Sequence, residues 1–264
     1  MRTLPRWTCT ESACGQANSF TLSRCDSCGT ESRTLALQSC DPNDWKIKEV
    51  AAVMKAFRNS IDKIQVPPRG VEGTLTLQGV LAALDSVPFD DRKKSMFLDI
   101  GCGRGHVLVA AMVFGFPKVA GLEQSDFKEQ WSLRLHNALE VRATSQCQEL
   151  WTQSNPEIQW NTQVQDLAGL KRDIQRYRWH GLVTIYLFWT GWTAGDKLVV
   201  LEYIRNDSQV KNVCIIDECR RPQGHRRTFE FMNRAGFVLK GHRSGLSISC
   251  SSGSEKFTLI CWRR

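Results

Sequence analysis

The sequence predicts an α/β protein: a seven-stranded, doubly wound, Rossmann-like sheet with a small metal-binding segment at its N-terminus. Three observations predict it. Short apolar runs alternate with helical stretches, the pattern of parallel strands joined by crossover helices. One such run, Phe97-Leu98-Asp99-Ile100, ends in Gly101-Cys102-Gly103-Arg104-Gly105 and leads into the apolar segment from Val107 to Phe116. The chain closes on two strand-like segments separated by only a polar Gly/Ser stretch, which suits an antiparallel pair at the sheet edge.

Composition sets the bounds. At 264 residues the chain is long enough for one full α/β domain with an appendage, because single domains usually run to about 100–200 residues. No run of about eighteen apolar residues occurs, and the opening Met1-Arg2-Thr3-Leu4-Pro5-Arg6-Trp7 has no apolar core of a signal peptide. No membrane partner is expected. Eleven cysteines without a secretory signal then point to reduced thiols, some of them metal ligands, in a nuclear or cytoplasmic setting. The net charge of +8 is unevenly placed: Gly169 to Arg264 carries 17 Lys and Arg against 8 Asp and Glu, and the first 168 residues 18 against 19. The basic excess is C-terminal, densest at Arg220-Arg221-Pro222-Gln223-Gly224-His225-Arg226-Arg227. Such a face either draws an anionic partner, nucleic acid or chromatin, or is a solvated loop that only adds charge.

The first segment carries Trp7-x-Cys9, Cys14, Asn18 and Cys25-x-x-Cys28. Four thiolates suit tetrahedral zinc, and two knuckles can fold a segment too short to bury a core. The spacing resembles the zinc finger of the Ran-binding nucleoporin type over residues 5–33. The resemblance implies Cys9, Cys14, Cys25 and Cys28 as zinc ligands, with Trp7 packing and Asn18 bonding across the knuckles. RNA-binding members carry an aromatic residue and arginines after the asparagine, where this chain has Ser19-Phe20-Thr21-Leu22. Ubiquitin-binding members carry Thr-Phe after the second cysteine, where this chain has Gly15-Gln16. A structural or partner-docking finger and an RNA-binding one both stay open.

Residues 34–69 read as a polar linker followed by an amphipathic helix. Asp44 suits its N-cap, and Ile47, Val50, Met54, Phe57, Ile61 and Ile64 recur at spacings of three and four. Val66-Pro67-Pro68-Arg69-Gly70 stops it. Residues 70–264 form the main domain, opening with Gly70-Val71-Glu72 and a helix through Leu84.

The central motif comes next. A strand ending in Asp-x-Gly-x-Gly-x-Gly lets backbone approach a nucleotide-like ligand closely, because glycine carries no Cβ and accepts positive φ. The helix that follows points its N-terminus at that ligand. Eighteen residues beyond Gly105, Val119-Ala120-Gly121-Leu122-Glu123 reads as a second strand with a carboxylate at its end, the place where ribose hydroxyls are bonded in nucleotide-binding βαβ units. This form, without Gly-x-Gly-x-x-Gly, resembles motif I of the class I S-adenosylmethionine-dependent methyltransferases. Gly-x-Glu, then Phe-Leu-Asp-Ile-Gly-x-Gly-x-Gly-x-Val, then Ala-Gly-Leu-Glu resembles more closely the disruptor-of-telomeric-silencing (non-SET) histone lysine methyltransferases. That resemblance implies S-adenosylmethionine held by Glu72, Asp99, Gly101, Gly103 and Glu123. In that class the glutamate follows Tyr-Gly, where this chain has Gly70-Val71.

Beyond Glu123 a helical region contains Trp131, Leu135, Leu139, Leu150 and Trp151, and Ile158-Gln159-Trp160 is the third strand. Asp166, in Gln165-Asp166-Leu167, either bonds an adenine amine or caps the helix that follows. His180 to Trp189 is a nearly continuous apolar run, the fourth strand and a central one. Its end, with Tyr186, Phe188, Trp189 and Trp192, falls where open α/β sheets place substrates, so these four are the candidate catalytic residues that shape an acceptor site. Aromatic walls can hold a lysine ammonium or stack a base. The histone class has Asn-Asn-Phe-x-Phe-Gly here and the amino-methylating nucleic-acid enzymes Asn/Asp-Pro-Pro-Tyr; this chain has neither. Residues 193–206 read as a helix, Val210 to Asp217 as the fifth strand, and Gly236 to Leu239 with Lys256 to Trp262 as the closing pair.

The expected function is methyl transfer from S-adenosylmethionine to a protein lysine, histone-like, with the proton of the amine lost to solvent. Two alternatives stay open. An RNA methyltransferase would use the finger and the basic C-terminal face, and a non-catalytic scaffold would keep the fold for partner binding.

Overall fold

The computed structural model describes residues 6–8, 17–19, 73–75, 77–103, 105–126, 128–129, 156–218, 222–250 and 256–264. The amphipathic helix expected within 34–69 and the helical region expected around Trp131 to Trp151 lie outside the described residues.

Two ladders of different size organise the chain. Near the N-terminus β1 (Arg6–Thr8) pairs antiparallel with β2 (Ala17–Ser19), with Trp7 opposite Asn18. The main sheet has the order β3-β9-β10-β8-β7-β4-β5-β6. Its members are β3 (Gly73–Leu75), β4 (Ser95–Ile100), β5 (Lys118–Leu122), β6 (Glu157–Gln159), β7 (Leu182–Phe188), β8 (Val210–Glu218), β9 (Val238–Cys250) and β10 (Lys256–Arg263). The five from β6 to β8 are parallel, and β10 runs antiparallel between β8 and β9. These are the seven strands the sequence predicts. The sheet also has an eighth, because Gly73–Leu75 adds to the free edge of β9 through the pairs Gly73 with Cys250 and Leu75 with Ile248.

Two further expectations are corrected. The Gly/Ser stretch after Leu239 is strand as far as Cys250, since Leu246, Ser247, Ile248, Ser249 and Cys250 alternate apolar and polar in sequence and the strand is paired along its length, Leu246 and Ser247 with β10 and Ile248, Ser249 and Cys250 with β3. The basic segment at Arg220 to Arg227 is not a loop throughout: α6 (Pro222–Arg234) starts at its proline, which suits a first helical position because the missing N–H has no intrahelical partner there.

Five more helices complete the layers: α1 (Leu77–Asp85), α2 (Phe89–Arg92), α3 (His106–Val113), α4 (Leu167–Gln175) and α5 (Ala194–Asn206). Thr193 and Asp196 form a capping box at the start of α5, each side chain accepting from the other's backbone N–H. The strands alternate their side chains between two cores. Phe97, Tyr186, Cys214, Ile216, Phe257 and Leu259 pack with α1 and α3. Leu98, Ile100, Ile185, Leu187, Ile215 and Trp262 pack with α4, α5 and α6 on the other face. The apolar α3 is buried from Val107 through Val113, as a helix without a polar face must be.

This topology fixes where a ligand can sit. The chain moves outward from β4 to β5 and β6, then crosses back to β7 on the other side of β4. The carboxyl ends of β4 and β7 are therefore neighbours, with Asp99 beside Tyr186 and Ile100 beside Leu187, at the switch point where open sheets bind ligands.

Candidate cofactor-binding site

The glycine turn leaves the end of β4 in a backbone path that L side chains resist. Gly101, Gly103 and Gly105 have φ of 83°, 53° and 72°, and glycine takes such values without a Cβ clash. The turn is fastened to β5: the amides of Gly101 and Cys102 both donate to the carbonyl of Leu122, at 2.8 and 3.1 Å. Gly105 donates to Cys102 at 2.9 Å and caps α3, whose first N–H groups then face the turn.

Glu123 completes it from the end of β5. Its Oε2 accepts the Gly103 amide at 2.6 Å and its Oε1 the Ser125 amide at 2.9 Å. Its own backbone is pinned, the N–H donating to Gln159 and the carbonyl accepting from the amide and hydroxyl of Thr162. A carboxylate has about four acceptor positions, so this half-exposed group retains capacity for hydroxyl donors.

Asp99 lies underneath, 2 % exposed, and its Oδ1 has no hydrogen-bond partner. Burial first, and the charge of Glu123 second, push this carboxyl well above the usual carboxylate range. Burial, followed by the charges of Asp99 and Glu123, likewise pushes the Cys102 thiol up, so Cys102 is a packing residue. It fixes the identity of Gly121, where a Cβ would lie 2.6 Å from Cys102 Sγ. The carbonyl of Gly121 accepts from the hydroxyl of Tyr177, which ties the turn's support to the end of α4.

The predicted site residues are thus only partly gathered. Asp99, Gly101, Gly103 and Glu123 form one cluster. Asp166 caps α4, its Oδ1 accepting from Gly169 at 2.7 Å, which is the second of its two readings. The four aromatics divide. Tyr186 is buried in the α1/α3 core beside Asp99, and Trp189 is buried in the opposite core, so neither offers a wall to an acceptor. Phe188 is half-buried against Phe257, their ring centroids 5.2 Å apart. Only Trp192 reaches the turn: its Cζ2 lies 3.0 Å from where a Cβ on Gly101 would stand. Glu72 and the four cysteines Cys9, Cys14, Cys25 and Cys28 lie outside the described residues.

Sequence reasoning missed the Trp192–Gly101 contact and the supports from Thr162 and Tyr177. Gly191, with φ of 85°, was the available signal, since it turns the chain back after β7 and sends Trp192 toward the neighbouring strand end.

The residues present fit a nucleotide-type cofactor. An orphaned buried carboxylate oxygen, a turn whose Gly101 is open to solvent and an acceptor-rich Glu123 converge on one strand end. Among the described residues no group of three or more His, Cys, Asp or Glu is arranged to hold a metal, and no helix is long and apolar enough to cross a membrane.

No family model matches the sequence, and no curated protein matches it. The fold is matched. A Pyrococcus horikoshii protein provisionally assigned as an RNA methyltransferase superposes with a TM-score of 0.54 at 13% identity, covering 82% of this chain and 98% of its own. A precorrin-6y C5,15-methyltransferase from Geobacter metallireducens gives 0.47 at 9% identity, covering 77% and 95%. The methyltransferase domain of a bacterial Hen1 gives 0.45 at 11%, covering 70% and 96%. The chain has the α/β, Rossmann-like methyltransferase fold; the first likeness carries that statement, and the strand order agrees with it.

Proposed function

We propose that this chain is an S-adenosylmethionine-dependent methyltransferase. One observation carries the reading: the glycine turn after β4, closed by Glu123 and underlain by Asp99 with its Oδ1 unpartnered, sits at the switch point of the sheet. When bound, that cofactor supplies an electrophilic methyl group on a sulfonium. The chain's own part is to hold and align. The glycine turn admits a ligand to the backbone, Glu123 accepts from hydroxyl donors, and Asp99 and Trp192 flank Gly101. Alignment of nucleophile and methyl, with water kept out, is most of what such a displacement requires.

For the acceptor, the sequence resemblance to the non-SET histone lysine methyltransferases supports a protein lysine. The burial of Tyr186 and Trp189 leaves Phe188 and Trp192 as the aromatic groups available to it. A second reading, RNA, is favoured by α6. Because β8 is parallel to β7, α6 begins at the same sheet edge as the glycine turn, and its second turn carries exposed Arg226 and Arg227. Arginines there can neutralise phosphates.

Zinc at Cys9, Cys14, Cys25 and Cys28 belongs to the same reading. The β1–β2 ladder supports it by pairing Trp7 with Asn18 and so joining the chain on either side of residues 9–16. Metal analysis of the purified full chain is expected to give one zinc per molecule; none would overturn the assignment.

Transfer of labelled methyl from S-adenosylmethionine into a lysate, followed by separate protease and nuclease digestion, tests the whole. Label lost to protease supports the lysine acceptor, and label lost to ribonuclease the RNA one. No transfer, together with no binding of S-adenosylmethionine in calorimetry, overturns the enzyme reading and leaves a scaffold.

A further inference from the structure

The end of the sheet opposite the glycine turn holds a cleft of about 330 Å³, between the carboxyl ends of α4 and α5. Ligand pockets run from about 300 to 1,000 Å³, so this one suits a small molecule or one group of a larger one. Its apolar part comes from Ile174, Trp179 and the starts of β4 and β7 at Met96 and Val183. Its polar part comes from three carboxamides, Gln175, Asn206 and Gln209, with one charge of each sign, Lys171 and Asp207. Two of these walls are fixed by hydrogen bonds. Trp179 Nε1 donates to the Leu182 carbonyl at 2.7 Å, and Asp207 Oδ1 accepts from the Gln209 amide at 2.8 Å. Tyr203 also lines the cleft; it is 2 % exposed, and its hydroxyl has no hydrogen-bond partner. Burial first, and the charge of Asp207 second, push this phenol up, so it stays a neutral group able to donate. Because Asp207 is itself a wall, the hydroxyl end of the ring is on the cleft side. Buried polar groups are nearly always bonded to protein, water or ligand.

We propose that this cleft is a second ligand site, one that takes an unstacked nucleobase, carried either by a free nucleotide or by a single strand of RNA. A base is planar, and its apolar faces suit the walls made by Ile174, Val183 and Trp179. Its edge carries an acceptor for the Tyr203 hydroxyl. The same edge mixes donors and acceptors, which carboxamides match because each offers a C=O and an NH₂ group. Charges of opposite sign on the walls do not select a strongly charged head, while Lys171 can meet the phosphate that accompanies the base. Gln175 and Asn206 are exposed, so their rotamers can shift to admit a base as far as the phenol. Asp99, Gly101, Gly103 and Glu123 are not among the walls. The inference therefore stands apart from the methyltransferase reading and does not depend on the acceptor.

Calorimetric titration of the full-length protein with the common ribonucleoside monophosphates, and with short unstructured homopolymer RNAs, tests it in wild type, Tyr203→Phe, Asn206→Ala and Glu123→Ala. Wild type is expected to bind at least one of these probes. Tyr203→Phe removes only a hydroxyl that has no partner in the protein, so it is expected to fold as well as wild type and to weaken that probe by about threefold to tenfold, the scale of one neutral hydrogen bond. Asn206→Ala, at the exposed rim, is expected to weaken it as well and keeps the test usable where the phenylalanine variant does not fold. Glu123→Ala, in the proposed cofactor site, is expected to leave the affinity unchanged. Binding of a monophosphate supports a free nucleotide as the source, and binding of RNA alone supports a strand. No binding of any probe by the folded wild type overturns the inference. So does an affinity unmoved by Tyr203→Phe, or by Asn206→Ala where that variant alone folds, and so does an equal loss in Glu123→Ala, which would put the probe in the cofactor site. The methyltransferase reading survives each of these results.

Discussion

Glu123 and Gly103, twenty residues apart, are joined by a hydrogen bond of 2.6 Å from the backbone N–H to the carboxylate. The bond couples the ends of two adjacent parallel strands through the turn that a ligand would touch. With its other oxygen on the Ser125 amide, one side chain orders both loops. Glu123→Ala removes both acceptors at once. Hydrogen bonds to a charged group contribute about 1.5–3 kcal/mol each when buried and less when half-exposed, so a loss of about 1–2 kcal/mol is expected in denaturant unfolding. Affinity for S-adenosylmethionine should fall by more than about tenfold, a difference of about 1.4 kcal/mol. An unchanged affinity in the folded variant would show that Glu123 serves the turn alone.

Gly101 and Trp192 make a second testable pair. Alanine at Gly101 meets an unfavourable φ and a ring 3.0 Å from its methyl. Left-handed strain and displacement of the ring together are expected to cost about 1–3 kcal/mol. In a Trp192→Leu background the steric part is relieved and the backbone part remains. A double-mutant cycle should therefore give a smaller penalty for Gly101→Ala when the ring is absent. Strict additivity would mean that the two residues do not press on each other in solution.

Asp99 gives stability a pH dependence whose sign is fixed by its surroundings. Burial and the charge of Glu123 raise its folded pKa, whereas the unfolded chain releases this proton near pH 4. The native state thus binds more protons than the unfolded one, and its stability declines as pH rises. The contribution is fully present below about pH 4 and is lost as pH climbs through the raised value. Asp99→Asn removes the titration. Denaturant midpoints of wild type and variant, measured across the acid to neutral range, should diverge in favour of the variant as pH rises. Parallel curves would mean that the carboxyl titrates normally.

Much of this arrangement is legible in the chain before any coordinates. Strands β4, β5, β7 and β8 declare themselves because a central parallel strand is buried on both faces and must be apolar at nearly every position. The turn declares itself because three alternate glycines are costly anywhere else. Thr193 with Asp196 marks the start of α5 in the same local way. What the sequence hides is which face a residue takes when its run is apolar throughout. Val183, Ile185 and Leu187 face one core, and Thr184, Tyr186 and Phe188 the other. Continued by two, that alternation sends Trp189 into the α4/α5 core, so aromaticity alone misreads Tyr186 and Trp189 as site walls. Asp166 is ambiguous for another reason: a carboxylate before a helix has the same sequence surroundings whether it bonds a ligand or the Gly169 amide. Strand β3 is hidden because three residues at an edge carry no periodicity, and they are strand only because β9 leaves that edge open.

The opposite end of the sheet is latched by charge. Asp91, 7 % exposed, takes Arg263 in a two-pronged pair, with Nε 2.9 Å from Oδ2 and Nη2 donating to Oδ1 at 3.1 Å, while Asn212 donates to Oδ2 at 3.1 Å. The latch ties α2 to the end of β10 and the start of β8, far along the strands from the glycine turn. Removing Asp91 leaves the buried Asn212 amide without its acceptor, while Arg263, whose side chain is 39 % exposed, keeps its contact with water, so Asp91→Ala is expected to cost about 1–3 kcal/mol. Asp91→Asn, which keeps the shape and an acceptor, should cost less. Because the latch sits at the amino ends of the parallel strands and the proposed cofactor site at their carboxyl ends, both variants should bind S-adenosylmethionine with the wild-type affinity wherever they are folded. Denaturant unfolding reads the first expectation and calorimetry the second. A large loss of affinity at native-like stability would show that the two ends of the sheet communicate, and would move Asp91 from the fold's architecture into its function.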